Sequence, residues 1–429
     1  MTHVRTEVLA GVTTFVTMAY IVFVQPAVLG AAGMDPGAVL MATCLASAFA
    51  TALMGRIANY PIAVAPAMGH NFFFAYTVVL AQCTPWQTAL GAVAIAGLLF
   101  IATAGFGLRE RVIAAVPEEL QHAIGAGIGL LIAFIGLQWS GVIVDTPGTL
   151  VGLGNLRSPV VLLSTATLVV TAALMARRVT GALLIGMGLA TIGVLALGLI
   201  QFDGVFSWPP SLSPTLLQLD VIDALRPEML DVVFVFFFLA LFDSVGTLVG
   251  VAGRMGLVRN GTIPRARQAL LADAVGTVVG AGLGTSTVTA YIESATGVAA
   301  GGRTGRANYV TAGLFLLVPF CYPLVRMIGG GVTVAEGVVL YPIVAPALIL
   351  VGVMMMAAVA HVAWNDLVRA IPAFLTIVII PLTMSITDGI AFGFVAAAVL
   401  HLATGQARRL HPWVYVFAVL FVARYALSG

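Results

Sequence analysis

The sequence predicts an all-α polytopic membrane protein of fourteen spans, arranged as a 7+7 inverted repeat. Three observations carry that expectation. Of 429 residues, 61% are hydrophobic and only 8% charged, against about 25% charged in a soluble domain. Apolar runs of about 20 residues, the length that crosses a bilayer core, recur from one end of the chain to the other. The arginines, finally, divide very unevenly between alternate loops. Helices are the reading for so many runs, because each helix satisfies its own backbone hydrogen bonds. The first run starts a few residues from Met1 and others follow it, so it reads as a span and not as a cleaved signal peptide.

Taken in order against Gly, Pro and charged breaks, the spans fall at 7–30, 37–55, 61–80, 87–107, 120–143, 159–176 and 181–201. A polar, Pro-rich loop from Asp203 to Pro227 separates these from a second set at 229–251, 268–283, 287–301, 308–328, 343–362, 370–386 and 389–404. A last apolar stretch, Trp413 to Leu427, either spans or lies in the interface. Short cytoplasmic loops retain positive charge. With the N-terminus inside, Arg5, Arg56, Arg109, Arg111, Arg177, Arg178, Arg254, Arg259, Arg265, Arg267, Arg303, Arg306, Arg369, Arg408 and Arg409 are cytoplasmic. Only Arg157, Arg226 and Arg326 fall outside, and Arg424 is unassigned. Seven spans per half, an odd number, force the two halves into opposite orientations.

The remaining composition excludes more than it assigns. All 19 basic residues are arginine, and they do not interleave with aromatics as a nucleic-acid surface would. Cys44, Cys83 and Cys321 lie far apart and form no CxxC or zinc spacing. His122, His361 and His401 show no metal spacing either. No nucleophile–base pair supports a membrane-embedded enzyme.

Two spans are interrupted. The third opens on Pro61 and is broken by Pro66-Ala67-Met68-Gly69; the ninth and tenth are short and separated by Gly280 to Thr287. Aligning Met68–Tyr76 with Leu283–Tyr291 matches Gly69 with Gly284 and Tyr76 with Tyr291, at a constant offset of 215 (284 − 69 and 291 − 76). Paired interrupted spans in corresponding halves are the best sequence pointer to a transporter site. Irregular backbone at membrane depth is tolerated only inside protein or against a wet cavity, and broken helices there present N–H groups to a small polar ligand. The competing reading is that these glycines only let helices pack closely.

Carboxylates sharpen the case. Asp243 lies mid-span in Phe242-Asp243-Ser244-Val245-Gly246-Thr247, and Glu293 lies in Tyr291-Ile292-Glu293-Ser294. A charge at the bilayer centre costs roughly 2.5–3.5 kcal/mol, so each acid needs a partner, a proton or a cavity. An acid that takes a proton and also accepts ligand N–H groups would link proton occupancy to binding; the bland alternative is a structural carboxylate. Asp273 reads as structural, bonding helix termini. His70 follows the first break and reads equally as ligand contact or satisfied structural group. Tyr20, Gln25, Phe72, Phe73 and Tyr76 are candidate pocket residues; for each of the aromatics ordinary helix packing is the favoured reading.

These residues resemble a known family. The run from Glu7 to Tyr20, the segment Phe242–Thr247, Gly284-Thr285-Ser286-Thr287 and the long stretch Tyr291–Gly305 are similar to AzgA-like purine permeases. These belong to the nucleobase–cation symporter superfamily, with the uracil and xanthine permeases. The resemblance covers nearly the whole chain and weakens after about residue 405. It implies a uracil-permease-like fold with short β-strands in spans 3 and 10. It also implies a core domain (1–115 and 203–328) and a gate domain (116–202 and 329–429). The substrate site it implies comprises Glu293, Asp243, Gly69, His70, Asn71, Thr285, Ser286, Thr287 and Phe73, with Asp243 and Glu293 also coupling protons. One departure stands out: the family's third span usually reads Gly-Met-Gly-Leu-Asn-Ala, and here it reads Ala67-Met68-Gly69-His70-Asn71-Phe72. That exchange changes pocket volume and adds a titratable group.

The expectation is therefore a multi-pass protein of the inner (plasma) membrane with a cytoplasmic N-terminus, taking up a purine base such as hypoxanthine, guanine or adenine with protons. No metal or organic cofactor and no nucleic acid is expected. The expected partners are the base, membrane lipid and a second copy meeting the first through gate domains. A same-fold transporter of another nitrogenous compound or an anion, and a passive channel, are the alternatives. Carboxylates at Asp243 and Glu293 would repel an anion.

Overall fold

The computed structural model describes residues 4–106, 116–257, 263–335 and 337–428. Arg109, Arg111 and Arg259, expected on the cytoplasmic side, lie outside them. Among the described residues, eight helices are long and apolar enough to cross a membrane. Shorter apolar helices, such as Met68–Ala81 and Leu367–Thr383, accompany them. The chain forms two compact units: Met1–Gly105 with Gly136–Ala347, and Phe106–Ile135 with Leu348–Gly429.

The run predicted as one span over 7–30 is a single candidate membrane span, Val4–Ala31, built of two helices, α1 (Val4–Met18) and α2 (Ile21–Ala31), with a turn at Ala19 and Tyr20. α3 (Pro36–Ile57) starts on a strong signal: Asp35 caps it by accepting the Ala38 N–H at 2.7 Å, and Pro36 sits at its first position. Pro61 and Pro66 then prevent a continuous helix, and the chain runs as strand β1 (Val64–Pro66). It resumes as α4 (Met68–Phe72), which continues as a π-helical stretch over Phe73–Ala81. Wide helical turns of this kind are rare and often found at functional sites. α5 (Trp86–Phe106) and α6 (Glu118–Trp139) follow, the latter ending at Trp139 and not at the predicted 143.

Beyond α6, a hairpin of β2 (Ile143–Thr146) and β3 (Leu150–Leu153) precedes α7 (Pro159–Ala176) and α8 (Ala182–Ala196). The short helix α9 (Val221–Ala224) leads into α10 (Leu230–Arg254), α11 (Ala266–Leu283), strand β4 (Val288–Ala290) and α12 (Ser294–Ala299). α13 (Arg306–Leu317), α14 (Tyr322–Gly329) and a second unforeseen hairpin, β5 (Val332–Ala335) with β6 (Val338–Leu340), complete the unit. Each hairpin is a short β-branched segment outside the long apolar runs, where helical periodicity gives no signal.

Two packing features set the site. α3 lies against both α11 and α13. Gly55 lets α3 meet the backbone at Gly305, where a Cβ on Gly55 would stand 2.6 Å from the Gly305 carbonyl oxygen. β1 and β4, far apart in sequence, pair antiparallel as Val64 with Ala290, Ala65 with Thr289 and Pro66 with Val288. Gly284 ends α11 at φ +99°, a backbone state that favours glycine, and so turns the chain into β4.

The second unit contains most of α6 together with α15 (Ala345–Met356), α16 (Leu367–Thr383), α17 (Ile386–Ala403) and α18 (Pro412–Ser428). Asp366 caps α16 through the Val368 N–H at 3.1 Å, and Ser385 caps α17 through the Asp388 N–H at 3.2 Å. Small residues Ala123, Ala126 and Ala373 build its core with Val362 and Ile377. The stretch from Trp413 to Leu427 is helical, and Phe417 packs edge-on to Phe394 of α17 with ring centroids 5.8 Å apart.

Candidate functional site

The strand pair is the structural centre of the first unit, and all six of its residues are buried. A two-stranded sheet leaves two edges of N–H and C=O groups without a strand partner, an expensive state in a buried place. Both edges are closed by a threonine hydroxyl. Thr51 of α3 donates to the Val64 carbonyl and accepts the Val64 N–H, each at 2.9 Å. Thr277 of α11 donates to the Val288 carbonyl at 2.9 Å and accepts the Val288 N–H at 3.3 Å. Across the middle, the Ala67 N–H reaches the Thr287 carbonyl and the Tyr291 N–H the Ala63 carbonyl, both at 2.9 Å.

These matching bonds set the internal repeat. Val64 corresponds to Val288, an offset of 224 (288 − 64), and Thr51 to Thr277, an offset of 226 (277 − 51). The offset of 215 expected from Gly69/Gly284 and Tyr76/Tyr291 is therefore corrected. Gly69 lies in α4 after its strand, whereas Gly284 lies before its own. The identities at Gly69/Gly284, Ala75/Ala290 and Tyr76/Tyr291 aligned opposite sides of the two strands.

Around this scaffold the acids take different places. Asp243 of α10 accepts the Thr289 hydroxyl at 2.9 Å. Glu293, at the start of α12, accepts the Tyr20 hydroxyl at 3.0 Å. By accessible surface Asp243 is exposed and Glu293 half-buried. Asp273 is buried and accepts the Ala290 N–H at 3.2 Å. It bonds a strand, not the helix terminus expected of it.

The other expected residues separate into two groups. Asn71 accepts the Ser286 hydroxyl, Thr285 takes a hydrogen bond from the Gln25 amide at 3.1 Å, and Thr287 holds Ala67 through its backbone. These residues therefore meet at the strand ends. Gly69 and His70 lie on α4; His70 is 3% exposed, and its Nε2 has no hydrogen-bond partner among the described residues. Phe73 is wholly buried, edge-on to Phe236 with ring centroids 4.8 Å apart. Phe72 stacks on Tyr76 at 5.7 Å, and the Tyr76 hydroxyl accepts the Trp139 indole N–H at 3.0 Å.

Sequence reasoning missed Thr289, Thr51 and Thr277, and favoured plain packing for Tyr20. The available signal was the density of Thr and Ser around the breaks, but the partners lie 11 to 273 residues away. The arrangement offers two carboxylate acceptors held by hydroxyl groups, beside a buried pair of strands. Carboxylates held in this way suit a neutral ligand rich in N–H donors.

Comparison with known proteins agrees with this chemistry. Residues 5–392 match the family model for xanthine/uracil permeases, described as the Permease family. A putative permease of Methanocaldococcus jannaschii is 48% identical, covering 100% of this chain and 96% of that protein. The guanine/hypoxanthine permease PbuG of Bacillus subtilis is 45% identical, over 98% of this chain and 96% of its own. The adenine permease AdeP of Escherichia coli is 44% identical, over 99% and 93%. Among solved structures, the fold is similar to the transmembrane domain of a cyanobacterial bicarbonate transporter, BicA. That match has a TM-score of 0.63 and 18% identity, covering 94% of this chain and 97% of that one. The murine anion transporter Slc26a9 gives a TM-score of 0.66 at 14% identity, covering 94% and 69%. The chain is thus a mostly helical, multi-pass membrane protein that belongs to the xanthine/uracil permease family, among its AzgA-like purine and nucleobase permeases.

Proposed function

We propose that the chain takes up a purine nucleobase together with protons, by alternating access. The observation that carries the proposal is the pair of carboxylates, Asp243 and Glu293, each held through a hydroxyl group, Thr289 or Tyr20. A purine presents ring and exocyclic N–H groups, and Glu293 accepts them. Asp243 binds the ligand or the coupling proton. Backbone and side chains at Gly69–Asn71 and Thr285–Thr287 hold the remaining edge, with Phe73 supporting the aromatic cover. The names of the relatives, permeases for adenine and for guanine/hypoxanthine, support a purine as cargo.

The wider reading has fourteen spans in two inverted sets of seven. A core (1–115 and 203–328) would carry the site, and a gate (116–202 and 329–429) would move against it and mediate dimerisation. The arginine distribution supports a cytoplasmic N-terminus in the inner membrane. The test is uptake of radiolabelled hypoxanthine, guanine and adenine in a permease-deficient strain, with and without a proton uncoupler. Uptake that the uncoupler abolishes is the expected result; uptake indifferent to it removes the symport. The likeness to anion transporters favours a second reading, a same-fold carrier of a small anion. Bicarbonate or chloride flux in proteoliposomes, unaffected by purines, would establish it instead.

A further inference from the structure

The run from Glu7 to Tyr20 reaches the transport site at one end, through the bond from Tyr20 to Glu293. Its other end carries an acid that the site does not use. Glu7 lies in the first turn of α1 and is 1% exposed. Its Oε1 accepts the backbone N–H of Arg303 at 3.2 Å, and its Oε2 has no hydrogen-bond partner among the described residues. No cation pairs with it among those residues either. The Arg303 guanidinium turns back onto the carbonyls of Val298 and Gly302, at 2.6 and 2.8 Å. A buried carboxyl with one oxygen idle and no counter-charge is costly. Holding a single loop N–H does not require it, since a neutral amide oxygen would serve as well.

Between Glu7 and the site the contact of two helices is polar along one line. α1 packs on α12 so closely that a Cβ on Gly297 would stand 2.7 Å from the Ala10 carbonyl oxygen. The buried Thr14 hydroxyl faces Gly297 at the same contact. Beyond it the hydroxyls of Thr17 and Thr296 meet at 3.0 Å, where either can donate. Thr296 also reaches the Glu293 carbonyl at 2.7 Å, and Tyr20 closes the line on the Glu293 carboxylate at 3.0 Å. Glu7, Thr14 and Thr17 fall on one face of α1 by helical spacing. Glu7 and Thr17 stand roughly 15 Å apart along the helix axis, at 1.5 Å per residue. At the far end the line meets water: Arg303, which bonds Glu7, and Arg5, in the same turn as Glu7, are both exposed.

We propose that the coupling proton leaves the transport site toward the cytoplasm by way of Glu7. The inference rests on the reading of the chain as a proton-coupled carrier. Once the purine has left, the O–H bond at the Glu293 carboxyl breaks. The proton passes along Thr296, Thr17 and Thr14, with water bridging the gaps, and bonds to the idle Oε2 of Glu7. Glu7 then gives it to bulk water beside Arg303, which restores the Glu7 carboxylate. Relays of acidic side chains are the usual proton routes inside membrane pumps and transporters. Glu7 acts through Glu293, and its part is proton release, not purine binding.

The test compares two assays of the purified full-length protein in proteoliposomes. One is counterflow, with hypoxanthine on both sides, a radiolabel on one, and no pH gradient. The other is accumulation driven by a gradient that is acidic outside. Counterflow returns the carrier with its proton still bound, so it needs no release. E7Q keeps an oxygen for the Arg303 N–H, so its Tm should not change and its counterflow should stay within about twofold of the unaltered protein. Its gradient-driven accumulation should fall about tenfold or more, and E7D should recover part of it. Undiminished accumulation by E7Q would overturn the proposal. An equal loss of counterflow and accumulation would overturn it too, by making Glu7 a structural tie. Should E7Q not fold, T17V supplies the same comparison: accumulation slowed more than counterflow supports the route, and equal slowing overturns it. Accumulation by the unaltered protein that ignores the gradient would remove the symport reading itself, a result distinct from undiminished accumulation by E7Q.

Discussion

The two strand segments of the first unit share a backbone and differ in chemistry. Each is three residues long, and each has its free edge closed by a threonine from the helix before it, Thr51 for β1 and Thr277 for β4. At the symmetry-related positions the halves then diverge. Ala290 of β4 offers an N–H that Asp273 accepts. Its counterpart, Pro66, has no N–H, and at the place related to Asp273 (273 − 226 = 47) the chain has Ser47. After the strand, Glu293 corresponds to Gly69 (293 − 224 = 69). The repeat supplies a rigid frame twice, and the acids are added once. The duplication thus repeats the backbone frame, while the carboxylates at Asp273 and Glu293 belong to the second half alone.

The comparison can be broken most severely at Glu293. E293Q keeps the side chain's shape and an acceptor for Tyr20 but replaces the carboxylate. Purine uptake by E293Q should fall at least about 100-fold, the scale of losing charge-assisted bonds of roughly 1.5–3 kcal/mol each plus the coupled proton. The equivalent change in the other half, G69A, tests backbone fit alone and should leave proton dependence intact.

Next in size are the edge threonines. T51V and T277V each remove a hydroxyl that serves one N–H and one C=O in a buried place. Each should lower stability by about 1–3 kcal/mol, read as comparable falls in Tm of the purified protein. A large loss from one and none from the other would deny the symmetry. At Asp273, D273N keeps a carbonyl oxygen for the Ala290 N–H and should be tolerated, whereas D273L should destabilise by a similar 1–3 kcal/mol. Smallest are the groups that hold the acids: T289V and Y20F should each weaken purine affinity by about three- to tenfold, about one hydrogen bond, with little change in Tm.

How far the sequence led follows the same physics. The long apolar runs were readable because bilayer thickness sets their length; α7, at Pro159–Ala176, begins and ends where expected. The interruption at Pro66 was readable because proline lacks the N–H a helix needs, and that near Gly284 because a Gly-rich run weakens a helix, although Gly280 and Gly282 remain helical. The break at Tyr20 was not, since nothing in Met18-Ala19-Tyr20-Ile21 forbids a helix; what accompanies it is the bond from Tyr20 to Glu293, 273 residues away. The register of the repeat was misread because local identity at Gly and Tyr outweighed the threonines that close the strand edges. The two acids stood out as candidates because carboxylates in apolar runs are conspicuous. Their hydroxyl partners were hidden among many other threonines and tyrosines.

The most direct test of the account is accumulation in proteoliposomes under an imposed pH gradient, acidic outside, with the unaltered protein and with D243N and E293Q. The unaltered protein should concentrate a radiolabelled purine inside and lose that accumulation when the gradient is collapsed, while neither variant accumulates it. Gradient-driven accumulation that survives in E293Q would contradict the claim that these carboxylates join the proton to the base.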